Sequence, residues 1–201
     1  MKLLVATNNL HKLEELKPLF SEHELLRPID LGIHDFNPEE NGRTFFENAF
    51  IKAEALYHLA GRPVIADDSG LCVEALHGRP GIESARYGSD NGRLLSAAEK
   101  NSLLLSELEN MKNRHCVFVC CLVLYYGPQR FLCVQETLEG EIGMAPRGDR
   151  GFGYDPIVYL PRKAKTVAEL SQEEKNRISH RGKAAQKMAA ILGITPIEGT
   201  V

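Results

Sequence analysis

The segment of this chain best equipped for chemistry is Ala66-Asp67-Asp68-Ser69-Gly70, which sets two carboxylates side by side after an apolar run. Burying them is expensive unless a metal, a lysine or backbone amides compensate the charge. Side chains alternate faces along a strand, so Asp67 and Asp68 should point opposite ways and should not chelate one ion together. One would then enter a site while the other tethers the chain; the competing reading makes both turn formers before Gly70. Lysines supply the complement. Lys12 follows the polar run Thr7-Asn8-Asn9, and Lys52 sits among apolar neighbours in Asn48–Ala53, where it either faces a site or snorkels its stem. Glu39-Glu40, before Asn41-Gly42, offers hard oxygen ligands or belongs to a solvated loop. His180-Arg181 suits a phosphate or a base edge, or forms a surface pair. Two familiar schemes lack their residues. There is no GxxxxGK[ST] loop, and Gly151-Phe152-Gly153-Tyr154-Asp155-Pro156 fails GxGxxG at its last position. Without a GxSxG elbow, Ser69 is not a hydrolase nucleophile of that type.

The elements that must position these residues follow from periodicity and caps. Lys2–Ala6 reads as a short buried strand opening into a helix in which Leu10, Leu13, Leu16 and Phe20 share a face, with Asn8 or Asn9 as N-cap. A turn placed there has helix N-terminal amides available to an anion. Thr44 to Glu47 has capping-box spacing and Gly61 is a stop, which predicts a helix over Phe45–Ala60. Ser96 with Glu99 opens a helix reaching about Met111, and Ser171 with Glu174 opens another. Pro63–Ala66 and Leu71–Ala75 read as strands flanking a polar knot at Asp67–Gly70. Cys116–Tyr125 and Phe131–Thr137 flank Gly127-Pro128 as a hairpin, Ile157–Leu160 is a short strand, and Lys183–Leu192 closes as a helix with Gly193 beyond it. The mixture predicts an α/β fold with a mixed sheet.

Composition narrows the function classes. The chain has 201 residues, 43% hydrophobic and 25% charged, which is enough for a single domain of one or two joined lobes. A formal charge of −3 argues against a broad grip on nucleic acid. The basic residues that recur from Arg162 to Lys187 suit a small polyanion better than a long one, unless they are a solvated face. No apolar stretch is long enough to span a bilayer, and the first apolar run ends at once in Thr7-Asn8-Asn9, so no signal peptide and no membrane partner are expected. The five cysteines lack CxxC spacing; Cys116, Cys120 and Cys121 lie in a run that reads as a buried strand, where they are expected to be core in a reducing cytoplasm.

Taken together the motifs are far more specific than any one of them. Thr7–Lys12, Glu40-Asn41-Gly42-Arg43-Thr44-Phe45 with Glu47-Asn48-Ala49 and Lys52-Ala53, Ala66–Leu71, Pro80–Tyr87, Gly151–Pro156, and Glu174-Lys175 with Ile178–Gly182 occur in order along almost the whole chain. In these blocks the sequence resembles the inosine triphosphate pyrophosphatase family, the noncanonical purine nucleotide pyrophosphatases. The resemblance implies an ITPase-like α/β fold, an elongated mixed sheet with helices in two lobes around a long central cleft, and a cytoplasmic homodimer. It implies hydrolysis of ITP, dITP and XTP between the α and β phosphates, with Mg2+ as cofactor. Asp68 would be the general base and a magnesium contact, with Glu40 as the other metal-associated carboxylate. Lys12 and Lys52 would grip the triphosphate and assist catalysis, helped by Thr7, Asn8, Asn9, Leu10 and His11, and Ser69 would contact substrate. Phe152, Gly153, Tyr154 and Asp155 would flank the purine and ribose, with Phe152 as stacking surface. Lys175, His180 and Arg181 would read the base. Asp149-Arg150 departs from the small or glycine-rich pair that many relatives carry before Gly151. Two other readings stay open: a Maf-like pyrophosphatase acting on modified pyrimidines or methylated guanosine, and a noncatalytic nucleotide- or RNA-binding module, which would need no Asp68.

Overall fold

The computed structural model describes residues 2–90 and 93–194. Its strands are β1 (Lys2–Val5), β2 (Glu24–Leu26), β3 (Val64–Val73), β4 (His115–Gly127), β5 (Arg130–Ile142), β6 (Val158–Leu160) and β7 (Lys165–Thr166). They form one mixed sheet in the order β2-β1-β3-β4-β5-β6-β7. β1 is parallel to β2 and β3, with Leu4 opposite Val64 and Val5 opposite Ile65. β6 is antiparallel to both β5 and β7. The α-helices are α1 (Leu10–Leu16), α2 (Phe45–Ala60), α3 (Ala97–Glu107), α4 (Gln172–Ile178) and α5 (His180–Ile194). The α/β class and the mixed sheet expected from the sequence are thus the ones adopted.

Local chemistry accounts for the helix ends. Asn9 caps α1, and a 3-10 turn over Lys17–Phe20 replaces its expected last turn, because Pro18 has no amide to donate. Thr44 caps α2 by accepting from the Glu47 amide, and Gly61 ends it at φ +62°. The box at Thr44 is only half closed, since the Glu47 carboxylate takes the amide of Arg43 instead. Ser96 and Ser171 close both halves of their boxes. α3 stops at Glu107, short of Met111. α5 starts at His180, earlier than Lys183, and passes through Gly193 rather than stopping before it.

The segment around the paired aspartates differs from expectation. Val64–Val73 is one continuous strand, with Asp67 and Asp68 inside it, and no polar knot divides it. A turn is unnecessary because the carboxylates find cationic partners on both faces of the strand.

The chain divides into two compact units. The first comprises the chain up to Asp68, Cys120–Glu136 and the chain from His180. Within it the strands bury both faces. Leu3, Val5, Ile65, Cys120, Leu122 and Leu124 pack with Leu13 and Leu16 of α1 and with Ala184, Ala185 and Met188 of α5. Their alternates Leu4, Ala6, Val64, Ala66, Cys121, Val123 and Tyr125 pack against Ala49, Ala53 and Leu56 of α2. Each fully buried Leu, Val or Ile contributes about 1.5–3 kcal/mol to this packing. The second unit, Ser69–Val119 and Thr137–Ser179, has its own core around Leu71, Val73, Leu104, Leu108, Phe118, Ile142, Tyr154 and Ile157.

Candidate active site

In the first unit the two aspartates of β3 obey the alternation of the strand. Asp67 faces the side of α1 and α5, and its carboxylate is fully enclosed. Its Oδ1 accepts from Lys12 Nζ at 2.6 Å, and its Oδ2 accepts from Arg181 Nε at 2.8 Å and from the Cys120 thiol at 3.2 Å. Arg181 Nη1 in turn donates to Glu15 Oε2 at 2.6 Å. Burial alone would raise the Asp67 pKa, but the Arg181 guanidinium and the Lys12 ammonium outweigh it and hold the carboxyl well below the ordinary range. Two cations facing two carboxylates make this cluster neutral.

Asp68, on the α2 side, has different company. Lys52 Nζ donates to Glu40 Oε2 at 2.9 Å and to Asp68 Oδ1 at 3.2 Å. Asp68 Oδ2 is buried and has no hydrogen-bond partner among the described residues. Burial pushes the Asp68 pKa up; Lys52 and Lys12 oppose the shift, while Glu40 and Asp67 reinforce it. Burial also works against the Lys52 charge, yet Asp68 and Glu40 together raise its pKa above the ordinary lysine value. The two upward shifts thus have different causes, burial for Asp68 and the two neighbouring carboxylates for Lys52. Among the described residues no three His, Cys, Asp or Glu side chains gather into a self-sufficient metal cage. The loop that follows Glu40 is tied to α2: the Gly42 amide donates to Asn48 Oδ1 at 2.9 Å, and a Cβ on Gly42 would lie 2.7 Å from that same oxygen.

The loop before α1 is internally bonded. Three of its amides are already bonded within the loop: Asn9 Oδ1 accepts from the amides of His11 and Lys12 at 3.0 and 3.4 Å, and Thr7 Oγ1 accepts from the Asn9 amide. Asn8 donates to the Phe36 carbonyl at 2.8 Å, and Leu10 and His11 are exposed.

In the second unit Phe152, Gly153, Tyr154, Asp155 and Lys175 come together. Asp155 Oδ2 accepts from the Phe152 amide at 2.8 Å and from Lys175 Nζ at 2.6 Å, and both charged side chains are buried. The Lys175 ammonium also stands 4.9 Å from the centre of the Phe152 ring, a cation–π arrangement. Gly151 is required here, since a Cβ would meet Asp155 Oδ2 at 2.1 Å and its φ is +72°. The Tyr154 ring is committed to the core, its hydroxyl donating to the Ser84 carbonyl at 3.0 Å, so only its backbone is left for a ligand. Asn101 donates to the Gly153 carbonyl at 3.1 Å. Ser69 begins this unit, partly buried on β3.

Of the three residues expected to read the base, Lys175 lies in the second unit and His180 and Arg181 in the first. Lys175 belongs to the Asp155 and Phe152 group, whereas Arg181 donates to Asp67 and Glu15. His180, the first residue of α5, is buried in the first unit. Glu15, Asn48, Ser84 and Asn101 are not singled out as site residues by the sequence. Glu15 lies one helical step from Lys12, and Asn48 is a polar residue on a buried helix face; those spacings were the available signals.

The sequence model of the Ham1 family matches residues 3–191. The chain belongs to the Ham1 family. A protein of Treponema denticola named dITP/XTP pyrophosphatase is 53% identical over 92% of this chain and 94% of its own. Another of that name from Aquifex aeolicus is 44% identical over 96% of each chain. Among solved structures, the Staphylococcus aureus Ham1 protein superposes with a TM-score of 0.85 at 41% identity, covering 96% of this chain and 98% of that one. A HAM1 protein from Coxiella burnetii gives 0.88 at 37% identity, covering 97% and 100%. The matched range includes residues of both units.

Proposed function

We propose that the protein hydrolyses purine nucleoside triphosphates with a 6-oxo base, namely XTP, dITP and ITP, to the nucleoside monophosphate and pyrophosphate. The observation that carries this reading is the group around Lys52: a buried ammonium shared by Glu40 and Asp68, with Asp68 Oδ2 left without a partner among the described residues. The substrate class comes from the names of the relatives. Glu40 and Asp68 suit Mg2+, which favours hard oxygens and takes one or two carboxylates, completing its shell with water and phosphate oxygens. When bound, the ion supplies charge neutralisation to the phosphates and makes a coordinated water more acidic.

The chain's own residues do the remainder. Asp68 accepts the proton of the attacking water, a task that its raised pKa favours over that of an ordinary carboxylate. Lys52 stays protonated through neutral pH, holds the two carboxylates in place and offsets phosphate charge. Lys12, whose side chain is 15% exposed, gives a second ammonium to the phosphate chain, with Thr7, Asn8, Asn9, Leu10 and His11 beside it and Ser69 next to Asp68 in the chain. Phe152 offers its ring to the purine, and Gly153, Tyr154 and Asp155 line the base and ribose through backbone and carboxylate. Lys175 donates to the 6-oxo group, where adenine would present an amino donor instead. A buried donor left unpaired costs about 1–3 kcal/mol, or about 5–150-fold in discrimination per contact. His180 retains its role as a nucleotide contact. Arg181 is assigned to holding Asp67 and α1, since its guanidinium is bonded to Asp67 and Glu15. A homodimer acting in the cytoplasm is the working form in the same reading, which sedimentation of the purified protein and cell fractionation test.

The central experiment incubates purified protein with XTP, dITP, ITP, GTP and ATP and separates the products by ion exchange. Monophosphate and pyrophosphate should form from the first three, with ATP far behind and all turnover abolished by a chelator. Release of diphosphate and inorganic phosphate, or equal turnover of ATP, would overturn the proposal.

A further inference from the structure

Cys121 and Cys133 stand apart from everything the nucleotide reading uses. They lie on the neighbouring strands β4 and β5, with their sulfurs 3.4 Å apart. Cys121 is fully buried on the α2 side of the sheet, while Cys133 is exposed. An exposed cysteine is the exception among free thiols, which are usually among the most buried side chains. Of the two other buried thiols of β4, Cys116 packs in the core of the second unit, and Cys120 points to the face opposite Cys121 and bonds to Asp67.

We propose that Cys121 and Cys133 form a peroxide-oxidisable dithiol, with Cys133 as the attacking sulfur and Cys121 as the resolving one. A sensor of this kind needs one thiol that solvent reaches and a second held in contact with it, and this pair meets both conditions. The contact with the Cys121 thiol also pulls the Cys133 pKa down to about 7, which enriches its thiolate. The Cys133 thiolate attacks one oxygen of a hydroperoxide; the O–O bond breaks, the departing oxygen takes up a proton, and Cys133 becomes a sulfenic acid. The Cys121 sulfur then attacks the Cys133 sulfur; the S–O bond breaks, water leaves carrying the thiol proton, and the disulfide forms. Both sulfurs are oxidised by one electron each while the peroxide is reduced by two. Disulfide formation brings the sulfurs from 3.4 Å to about 2.0 Å, a short closure between strands that are already neighbours.

The test is a thiol count on the folded full chain after treatment with a few equivalents of hydrogen peroxide, followed by peptide mapping. Native protein should lose two of its five thiols, run as a single chain on a nonreducing gel, and regain all five with dithiothreitol. Cys133→Ser, at an exposed position, should keep every remaining thiol at the same dose. Cys121→Ser should stop at a sulfenic acid on Cys133 that dimedone captures, and Cys120→Ser should still form the cross-link. Retention of five thiols in the wild type, a cross-link that needs Cys120, a cross-link between chains, or over-oxidation of Cys133 alone would each refute the proposal.

Discussion

Replacing each of the adjacent aspartates by asparagine should have opposite consequences. Asp67 has a side chain with 0% exposure, and it anchors Lys12 and Arg181. Asp67→Asn leaves two buried cations facing Glu15 alone. Removing one partner from a buried ion pair costs about 3–5 kcal/mol, and for a chain of this length that lowers Tm by about 6–20 °C. Asp68→Asn should behave otherwise. Lys52 keeps Glu40 at 2.9 Å, the ionised form of Asp68 is already disfavoured by burial, and its Oδ2 has no partner to lose among the described residues. Its effect on stability should stay within about 1 kcal/mol of zero in either direction, while turnover of XTP is abolished. Urea unfolding followed by far-ultraviolet circular dichroism is the suitable assay, since the chain contains no tryptophan. If the two variants lose the same stability, or if Asp68→Asn loses more, the assignment of a structural anchor to one face of β3 and a reactive carboxylate to the other is wrong.

The pH dependence of the same comparison has a definite sign. The Asp67 pKa is depressed in the fold, so its contribution is fully present above the unfolded value of about 3.9 and is lost as pH falls through the lower folded value. The Asp68 pKa is raised, so the wild type's advantage over Asp68→Asn is greatest below about 3.9 and fades as pH rises through the folded value; parallel stability profiles for the two variants would contradict this. Gly42→Ala must displace the Glu40 loop, because the new Cβ would lie 2.6 Å from the Glu47 Cβ, and magnesium titrations of activity should show a loss of about 10–100-fold in apparent metal affinity. An unchanged titration would separate that loop from the metal. Asp155→Asn should cost about 3–5 kcal/mol by stranding the buried Lys175, and adding Lys175→Met should recover most of it in urea melts; no recovery would mean that the pair is not the source of the loss.

Much of this protein could be read from local chemistry. The caps at Asn9, Thr44, Ser96 and Ser171 mark helix starts because each side chain satisfies an amide a few residues away, an interaction that needs no tertiary partner. The opposed directions of Asp67 and Asp68 follow from the two-residue period of a strand, and the ordered motifs sufficed for the family. Tertiary structure decided which charges meet. Asp67 and Arg181 are 114 positions apart, and nothing local distinguishes an arginine that reads a base from one that neutralises a buried carboxylate. The polar stretch Asp67–Gly70 looked like a break because the cost of burying carboxylates was visible in the sequence. The cations that offset it, on α1, α2 and α5, are supplied only when the chain folds.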